Sequence, residues 1–150
     1  MRIPRRVRDR AFVRRPNPDS RILNPGGRVA NNEITRVEKP WGYELHWAKT
    51  DRYVGKILHI NAGHALSLQY HVRKEETILL WSGRLQFDIE QKGSLKRLEV
   101  KAGERIHVPP GTVHRMTAIE DCDIFEVSTP ELDDVVRLED RYGREDAQHT

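Results

Sequence analysis

Short apolar runs follow one another from Thr35 onward, separated by glycine, proline, asparagine or charged residues. No stretch of useful length repeats its apolar positions every 3.6 residues, the spacing of an amphipathic helix. Short runs bounded by turn residues are typical of β-strands. The pattern therefore predicts strands over residues 41–48, 53–60, 65–70, 77–82, 84–90, 95–100, 105–108, 113–118 and 124–128.

So many short strands in one stretch of chain favour a β-sandwich or a closed double-sheet barrel, and the fold class is predicted to be all-β. Gly83 and Gly93 fall between predicted strands, where tight connections need a permissive backbone. The segment from Pro130 to Arg144 is expected to pack over the barrel as a short helix or strand, with its charges facing water. Its apolar residues are Leu132, Val135, Val136 and Leu138.

The start of the chain differs from the rest in composition. Residues 1–28 hold nine arginines against two aspartates, whereas the remainder carries 17 basic and 21 acidic residues. We predict an Arg- and Pro-rich arm over residues 1–32, extended or partly disordered, and a single barrel domain over residues 33–150. The arm is expected to be solvated or to pack on a partner subunit. A contact with nucleic acid or anionic lipid stays open, because clustered guanidinium groups attract phosphate.

Cysteine usage and hydropathy limit the cellular setting. Cys122 is the only cysteine, so no disulfide can form within the chain. No apolar run approaches the roughly 20 residues of a membrane-spanning helix, and no apolar segment follows the N-terminal arginines as in a secretory signal. We therefore expect a cytoplasmic protein without a membrane partner, stabilised by its core and by a metal ion.

Polar and apolar residues alternate from residue 65 to residue 71. In an extended chain successive side chains point to opposite faces. One face would then present Ser67, Gln69 and His71, and the other Leu66, Leu68 and Tyr70. The first of these faces is the candidate for binding chemistry.

Two further residues extend this polar face into a candidate metal site. Glu76 follows at the start of the next strand, and His114 begins another strand behind a Pro-Pro-Gly turn. Neutral imidazoles combined with carboxylate and amide oxygens suit zinc, manganese, iron, nickel or cobalt. We predict that one divalent ion, most simply zinc, is bound by Gln69, His71, Glu76 and His114.

The same residues match both sequence motifs of the cupin superfamily. The first motif is matched by Gly63, Gln69, His71, Glu76 and Gly83, with Gln69 in place of its first histidine. The second motif is matched by Gly103, Pro109, Gly111 and His114, with Ala118 where asparagine is usual. Residues 39–43, 66–71 and 134–144 are also similar to segments of the isomerase domain of type II mannose-6-phosphate isomerases. The chain thus resembles that domain over most of its length.

This resemblance implies a double-stranded β-helix, a jelly-roll barrel that commonly pairs into homodimers. Mannose-6-phosphate isomerases use a Gln, His, Glu, His set around zinc or a related ion. The implied function is aldose–ketose isomerisation of a sugar phosphate, most simply mannose 6-phosphate to fructose 6-phosphate. Type II enzymes commonly carry a guanylyltransferase domain before the cupin. Its glycine-rich nucleotide loop has no counterpart here, so we expect a standalone cupin.

Such a reaction needs a base, an electrophile and a phosphate anchor. Lys74 resembles a basic residue of the family and is a candidate base or anchor, and Glu76 is placed with it as catalytic. Lys56 alternates with Leu58 and Ile60 along a predicted strand and should point to the same face. Its ammonium is therefore expected inside the barrel, where only an anion would offset the cost of burial. Lys56 and Arg137 are candidate phosphate contacts, and Ser67 is a candidate substrate contact.

Two other functions stay open. One is a different metallocupin reaction, such as an oxygenase, a sugar isomerase or a lyase. Gln69 counts against the oxygenase, because such cupins usually hold iron with histidines and a glutamate. The other is a noncatalytic sugar- or metal-binding module.

Overall fold

The structure is a computed structural model that describes residues 33–144. These residues form eleven β-strands, and the predicted all-β fold class is confirmed. The strands are β1 (Thr35–Lys39), β2 (Gly42–Lys49), β3 (Val54–Ile60), β4 (Leu68–Tyr70), β5 (Glu76–Ser82), β6 (Arg84–Gln91), β7 (Ser94–Lys101), β8 (Arg105–Val108), β9 (His114–Ala118), β10 (Cys122–Ser128) and β11 (Val136–Glu139). Among the described residues, no helix has the length and apolar character needed to cross a membrane.

The strands form two antiparallel sheets. The six-stranded sheet has the order β1-β2-β3-β10-β5-β8, and the five-stranded sheet has the order β11-β4-β9-β6-β7. Strand β4 pairs with β9, which lies far along the chain, so strand pairing brings part of the first motif region beside the second.

The core lies between the two sheets because alternate residues of each strand face inward. In β5, Ile78 and Leu80 are buried, and in β6, Leu85 and Phe87 are buried from the opposite sheet. Burying one such side chain contributes about 1.5–3 kcal/mol. The core is therefore an apolar layer shared by both sheets, and it includes Trp41 from the connection between β1 and β2.

The β5–β6 connection depends on Gly83. Its φ angle is 87°, in the left-handed region that favours glycine. A Cβ atom at this position would lie 2.2 Å from the backbone oxygen of Asp121. The predicted need for glycine between these strands is thus explained by both conformation and space.

The strand predicted over residues 65–70 is shorter than expected. Only Leu68–Tyr70 are in β4, while Ala65 forms an isolated bridge with Thr117. The expected position of Leu66 on the face opposite the polar residues is wrong, because Leu66 packs against the core and lines the cavity described below. Strand alternation does not extend back to residue 66.

Strand β1 was not predicted from the sequence. Thr35–Lys39 pair along their length with Gly42–His46 of β2. Their side chains are mostly exposed and mostly polar, so they carry no apolar alternation that would indicate a strand.

The closing segment is a loop followed by β11, and its orientation is partly opposite to the prediction. Asp134 is only 4% exposed, whereas Leu138 is 53% exposed. The expectation that all charges of this segment face water and all its apolar residues face the barrel is therefore wrong. The predicted arm over residues 1–32 lies outside the described residues and stays a prediction, as does the domain division.

Candidate metal centre

The four predicted metal ligands come from both sheets. Gln69 lies in β4 and pairs with His114, the first residue of β9, on the neighbouring strand. His71 follows β4 directly, and Glu76 is the first residue of β5 in the other sheet. His71, Glu76 and His114 therefore meet where the two sheets face each other, and Gln69 lines the same cavity as His71 and Glu76.

Three of these residues form a tight cluster. Nitrogen and oxygen ligand atoms of His71, Glu76 and His114 all lie within 4.8 Å of one another, and the three side chains are buried. The Nε2 atom of His114 is 3.2 Å from Oε1 of Glu76, and that of His71 is 3.6 Å from Oε2. The cluster could hold a metal ion, since two imidazoles and a carboxylate are a ligand set that zinc and manganese accept.

Backbone carbonyls determine which ring nitrogen of each histidine carries the proton. The Nδ1 atom of His71 lies 2.5 Å from the carbonyl oxygen of Asp134, and that of His114 lies 2.9 Å from the carbonyl oxygen of Thr112. A carbonyl oxygen only accepts, so each Nδ1 must donate, and each Nε2 presents its lone pair. Within residues 33–144, both Nε2 atoms are buried without a hydrogen-bond partner. Two unpartnered lone pairs aimed at one carboxylate fit a divalent cation.

Gln69 is oriented by its neighbour Ser67. The Ser67 hydroxyl donates a hydrogen bond of 2.5 Å to Oε1 of Gln69, and Ser67 is buried. An amide oxygen has two lone pairs, so Oε1 keeps one for a cation. The arrangement gives Ser67 a role in holding Gln69, while its predicted contact with substrate stays a prediction.

A Pro-Gly turn ties the two motif regions together. The Gly111 amide donates a 2.6 Å hydrogen bond to the backbone oxygen of His71. Gly111 has a φ angle of 76°, which favours glycine. Thr112, whose carbonyl orients His114, follows in the same turn. One short turn therefore contacts both histidines.

Lys74 links Glu76 to a second buried carboxylate. Its Nζ atom donates hydrogen bonds of 2.5 Å to Glu76 and 2.8 Å to Glu126. Burial alone would lower the pKa of Lys74, but the two carboxylates outweigh it and raise the pKa. Burial would also raise the pKa of Glu76, but the adjacent Lys74 ammonium holds it well below its usual value. Both groups are therefore charged in the folded protein.

Lys56 has a similar but looser environment. It is buried and points into the barrel, as predicted. Its Nζ atom is 3.5 Å from a Glu44 oxygen and 3.8 Å from a Glu126 oxygen. The premise that the Lys56 ammonium lacks a protein counter-charge is therefore wrong. Neither contact reaches ordinary hydrogen-bond length, so its N–H donors remain available to a ligand.

Sequence reasoning missed Glu44, His46 and Glu126. The Nε2 atom of His46 lies 2.8 Å from a Glu44 carboxylate oxygen, and Glu126 is 3% exposed. Glu126 lies two residues after the apolar Ile124 in the same predicted strand, so both side chains point to the same face. This spacing could have indicated that Glu126 is buried. The pattern of β2 gave no such indication for Glu44 and His46. They alternate with the aromatic residues Tyr43 and Trp47, so the apolar face of this strand is the opposite one.

A cavity of about 220 Å³ opens beside the cluster. It suits a small polar molecule better than a large apolar one. The predicted site residues among its walls are Lys56, Ser67, Gln69, His71, Lys74, Glu76 and Arg137. The other cationic side chains that line the cavity are Lys39 and Arg144, and the other acidic ones are Glu44, Glu126 and Asp133. Arg115, which follows His114, is not among these walls and pairs instead with Asp88 and Glu139.

Comparison with known proteins assigns the family. A family model described as the C-terminal part of mannose-6-phosphate isomerase matches residues 26–140. The chain belongs to this family. The resemblance drawn from the two motifs is thereby confirmed, and every residue of the charged cavity except Arg144 lies within the matched region.

The curated relatives are longer proteins. Mannose-1-phosphate guanylyltransferase of Escherichia coli (strain K12) is 32% identical over 130 residues, which are 81% of this chain and 26% of that protein. The alginate biosynthesis protein AlgA of Pseudomonas syringae pv. tomato is 28% identical over 130 residues, or 83% of this chain and 26% of that protein. This member of the isomerase family thus spans about a quarter of the length of those relatives.

A solved structure supports the fold assignment. Oxalate decarboxylase from Bacillus subtilis matches with a TM-score of 0.61 at 16% sequence identity, over 71% of this chain and 30% of that one. Likeness at this identity shows the fold alone. Together with the family match, it confirms the predicted cupin barrel.

Proposed function

We propose that the chain is a metal-dependent aldose–ketose isomerase of a phosphorylated hexose, most simply interconverting mannose 6-phosphate and fructose 6-phosphate. The observation that carries the proposal is the buried cluster of His71, Glu76 and His114 in the wall of a cavity with several cationic side chains. Membership of the isomerase family supports the same reaction.

A bound divalent ion would make the buried part of the site favourable to an anionic substrate. The buried walls carry two ammonium groups and three carboxylates, on Lys56, Lys74, Glu44, Glu76 and Glu126, which gives a net charge of −1. A divalent ion would reverse the sign to +1. We therefore expect binding of a sugar phosphate to depend on the metal, since like charges in a poorly solvated cavity repel strongly.

The reaction moves a proton between C1 and C2 of the open-chain sugar through an enediolate. Gln69, His71, Glu76 and His114 would hold the ion, which would supply an electrophile for the negative charge that develops on a sugar oxygen. Of the two roles predicted for Lys74, the base is disfavoured, because hydrogen bonds to two carboxylates hold its ammonium charged; only its third N–H is left for an anionic group of the substrate. Lys74 then stabilises negative charge and orients Glu76.

The phosphate is proposed to bind towards Lys56 and Arg137. Both line the cavity, and the Lys56 ammonium has donors that its distant carboxylates do not use. An arginine fork suits a phosphate group because it donates two parallel hydrogen bonds. Lys39 and Arg144 also line the cavity and add to its positive potential.

The test is isomerisation of mannose 6-phosphate by the wild type, by His114→Ala and by the control His107→Ala. His107 is exposed and bonded to Thr77, so it matches His114 in chemistry but lies outside the cluster. We expect the first substitution to abolish turnover and the second to leave it unchanged. Full activity of folded His114→Ala would refute the role of the metal centre. Metal binding without turnover of any hexose phosphate would favour a different metallocupin reaction or a binding module.

The homodimer is likewise a proposal. Two large apolar side chains of the six-stranded sheet, Trp81 and Val127, are 62% and 51% exposed in the single chain, and Trp81 packs edge-on against Phe125. Contiguous apolar patches of this kind mark interaction surfaces. The proposed homodimer is tested by measuring the molecular mass of the wild type and of Trp81→Lys by sedimentation. A monomeric wild type would contradict it.

A further inference from the structure

Asp134 contacts His71 of the candidate metal centre and the turn that follows it, and no predicted role used it. It belongs to the loop between β10 and β11 and is buried. Its neighbours Asp133 and Val135 line the cavity. Its own side chain faces the turn that separates His71 from Glu76.

The Asp134 carboxylate binds three successive backbone amides of that turn. One oxygen accepts from Val72 at 2.9 Å, and the other accepts from Arg73 at 2.6 Å and from Lys74 at 2.7 Å. Successive N–H groups that converge on one anion form a concave anion-binding turn. Residues 72–74 therefore have their conformation set by a side chain more than fifty residues away in sequence.

The backbone of Asp134 acts on the metal cluster directly. Its carbonyl oxygen accepts the Nδ1 proton of His71 at 2.5 Å. This bond selects the tautomer with a free lone pair on Nε2 and restricts rotation of the ring. The side chain of Asp134 holds the turn, and its carbonyl holds the ring of the residue before that turn.

We propose that Asp134 is a positioning residue of the metal centre, which pre-orients His71 and Glu76 through the turn that joins them. The proposal rests on the metal-binding part of the proposed function. A purely structural role would predict lower stability alone. A positioning role predicts weaker metal binding and altered ligand geometry in a protein that is still folded.

The test uses Co²⁺ alone as the probe, on the full chain, with Asp134→Ala, Asp134→Asn and the control Asp121→Asn. Asp121 also accepts a backbone N–H, that of Ala62 at 2.7 Å, but lies outside the cavity walls. Competition with a chromophoric chelator gives the dissociation constant, and the visible absorption of bound Co²⁺ reports its ligand geometry. Circular dichroism confirms folding.

We expect Asp134→Ala to weaken Co²⁺ binding about 10- to 100-fold and to change the absorption bands, as loss of groups that orient metal ligands usually does. Asp134→Asn keeps one acceptor oxygen and should show a smaller loss, and it carries the test if the alanine variant does not fold. Asp121→Asn should match the wild type.

Folded Asp134 variants with the wild-type dissociation constant and spectrum would overturn the proposal. Equal weakening in Asp121→Asn would overturn it as well. Failure of the wild type to bind Co²⁺, Zn²⁺ or Mn²⁺ would instead contradict the metal centre and the proposed function together. The two failures are therefore distinguishable.

Discussion

Replacing Glu126 should reveal the cost of the charges buried beside the metal centre. Its carboxylate is 3% exposed, accepts a hydrogen bond from Lys74 at 2.8 Å and lies 3.8 Å from the ammonium of Lys56. Glu126→Ala leaves both lysines buried with one carboxylate fewer. The folded state must then hold two ammonium groups with less compensation.

The structure sets the expected magnitude. Breaking a buried ion pair by removing one partner costs about 3–5 kcal/mol. Each lysine here keeps a second carboxylate, Glu76 for Lys74 at 2.5 Å and Glu44 for Lys56 at 3.5 Å. We therefore expect Glu126→Ala to lower the free energy of unfolding by about 2–3 kcal/mol, below the full cost of breaking a pair. Glu126→Gln keeps an acceptor for Lys74 and should lose about 1–2 kcal/mol.

Urea-induced unfolding followed by tryptophan fluorescence measures these values. Glu120→Gln is the matched control, because Glu120 is exposed and its nearest cation, Arg84, is 3.8 Å away, so no measurable change is expected. A loss of less than about 1 kcal/mol in Glu126→Ala would show that the lysines are not desolvated, and would refute the reasoning from buried charge.

Two further substitutions test other parts of the fold. Gly83→Ala should destabilise by about 2 kcal/mol or more, since alanine at a positive φ is disfavoured and its Cβ would clash with the Asp121 carbonyl; wild-type stability in urea would contradict the assigned turn. Asp88 is buried, and burial raises its pKa, but the hydrogen bond from Arg97 and the charges of Arg97 and Arg115 together outweigh burial and lower the pKa from 3.8. The stability that Asp88 contributes is therefore present above pH 3.8 and lost as the pH falls through its folded-state value. The stability difference between wild type and Asp88→Asn should be largest near neutral pH and shrink in acid; a difference that does not change with pH would contradict this.

Three of the four predicted ligands, His71, Glu76 and His114, lie close together as the sequence predicted, while their binding of a metal ion stays a prediction. His71 and Glu76 flank one turn, and His114 follows a Pro-Gly turn. Pairing of β4 with β9 then brings Gln69 beside His114, and the packing of the two sheets adds Glu76. Of the strands, those with apolar alternation were predicted within a few residues. The polar strand Thr35–Lys39 was missed, because its pairing depends on β2 and not on its own pattern.

The charged wall of the cavity was not predictable from alternation. In β2 the inward residues are Glu44 and His46, while Tyr43, Leu45 and Trp47 face outward. This is the reverse of an ordinary amphipathic strand, so the rule of apolar inside and polar outside assigns the wrong face. A barrel that keeps a polar ligand site in its interior has such strands where the cavity lies.

The role of Asp134 could not be predicted from the sequence for a different reason. Its neighbours in sequence are polar and apolar in turn, and nothing local distinguishes it from Asp133. Its role depends on three amides of a turn about sixty residues earlier. Long-range contacts of this kind emerge only when the two sheets are assembled.

The most direct measurement of the central claim is a titration of metal-free protein with Zn²⁺ or Mn²⁺, in which bound metal and the rate of mannose 6-phosphate isomerisation are measured on the same samples. We predict that activity is absent without metal, rises in proportion to bound metal and saturates at one ion per chain, as the single cluster in residues 33–144 requires. Isomerisation that persists after complete metal removal, or saturation with metal without any isomerisation, would contradict the claim.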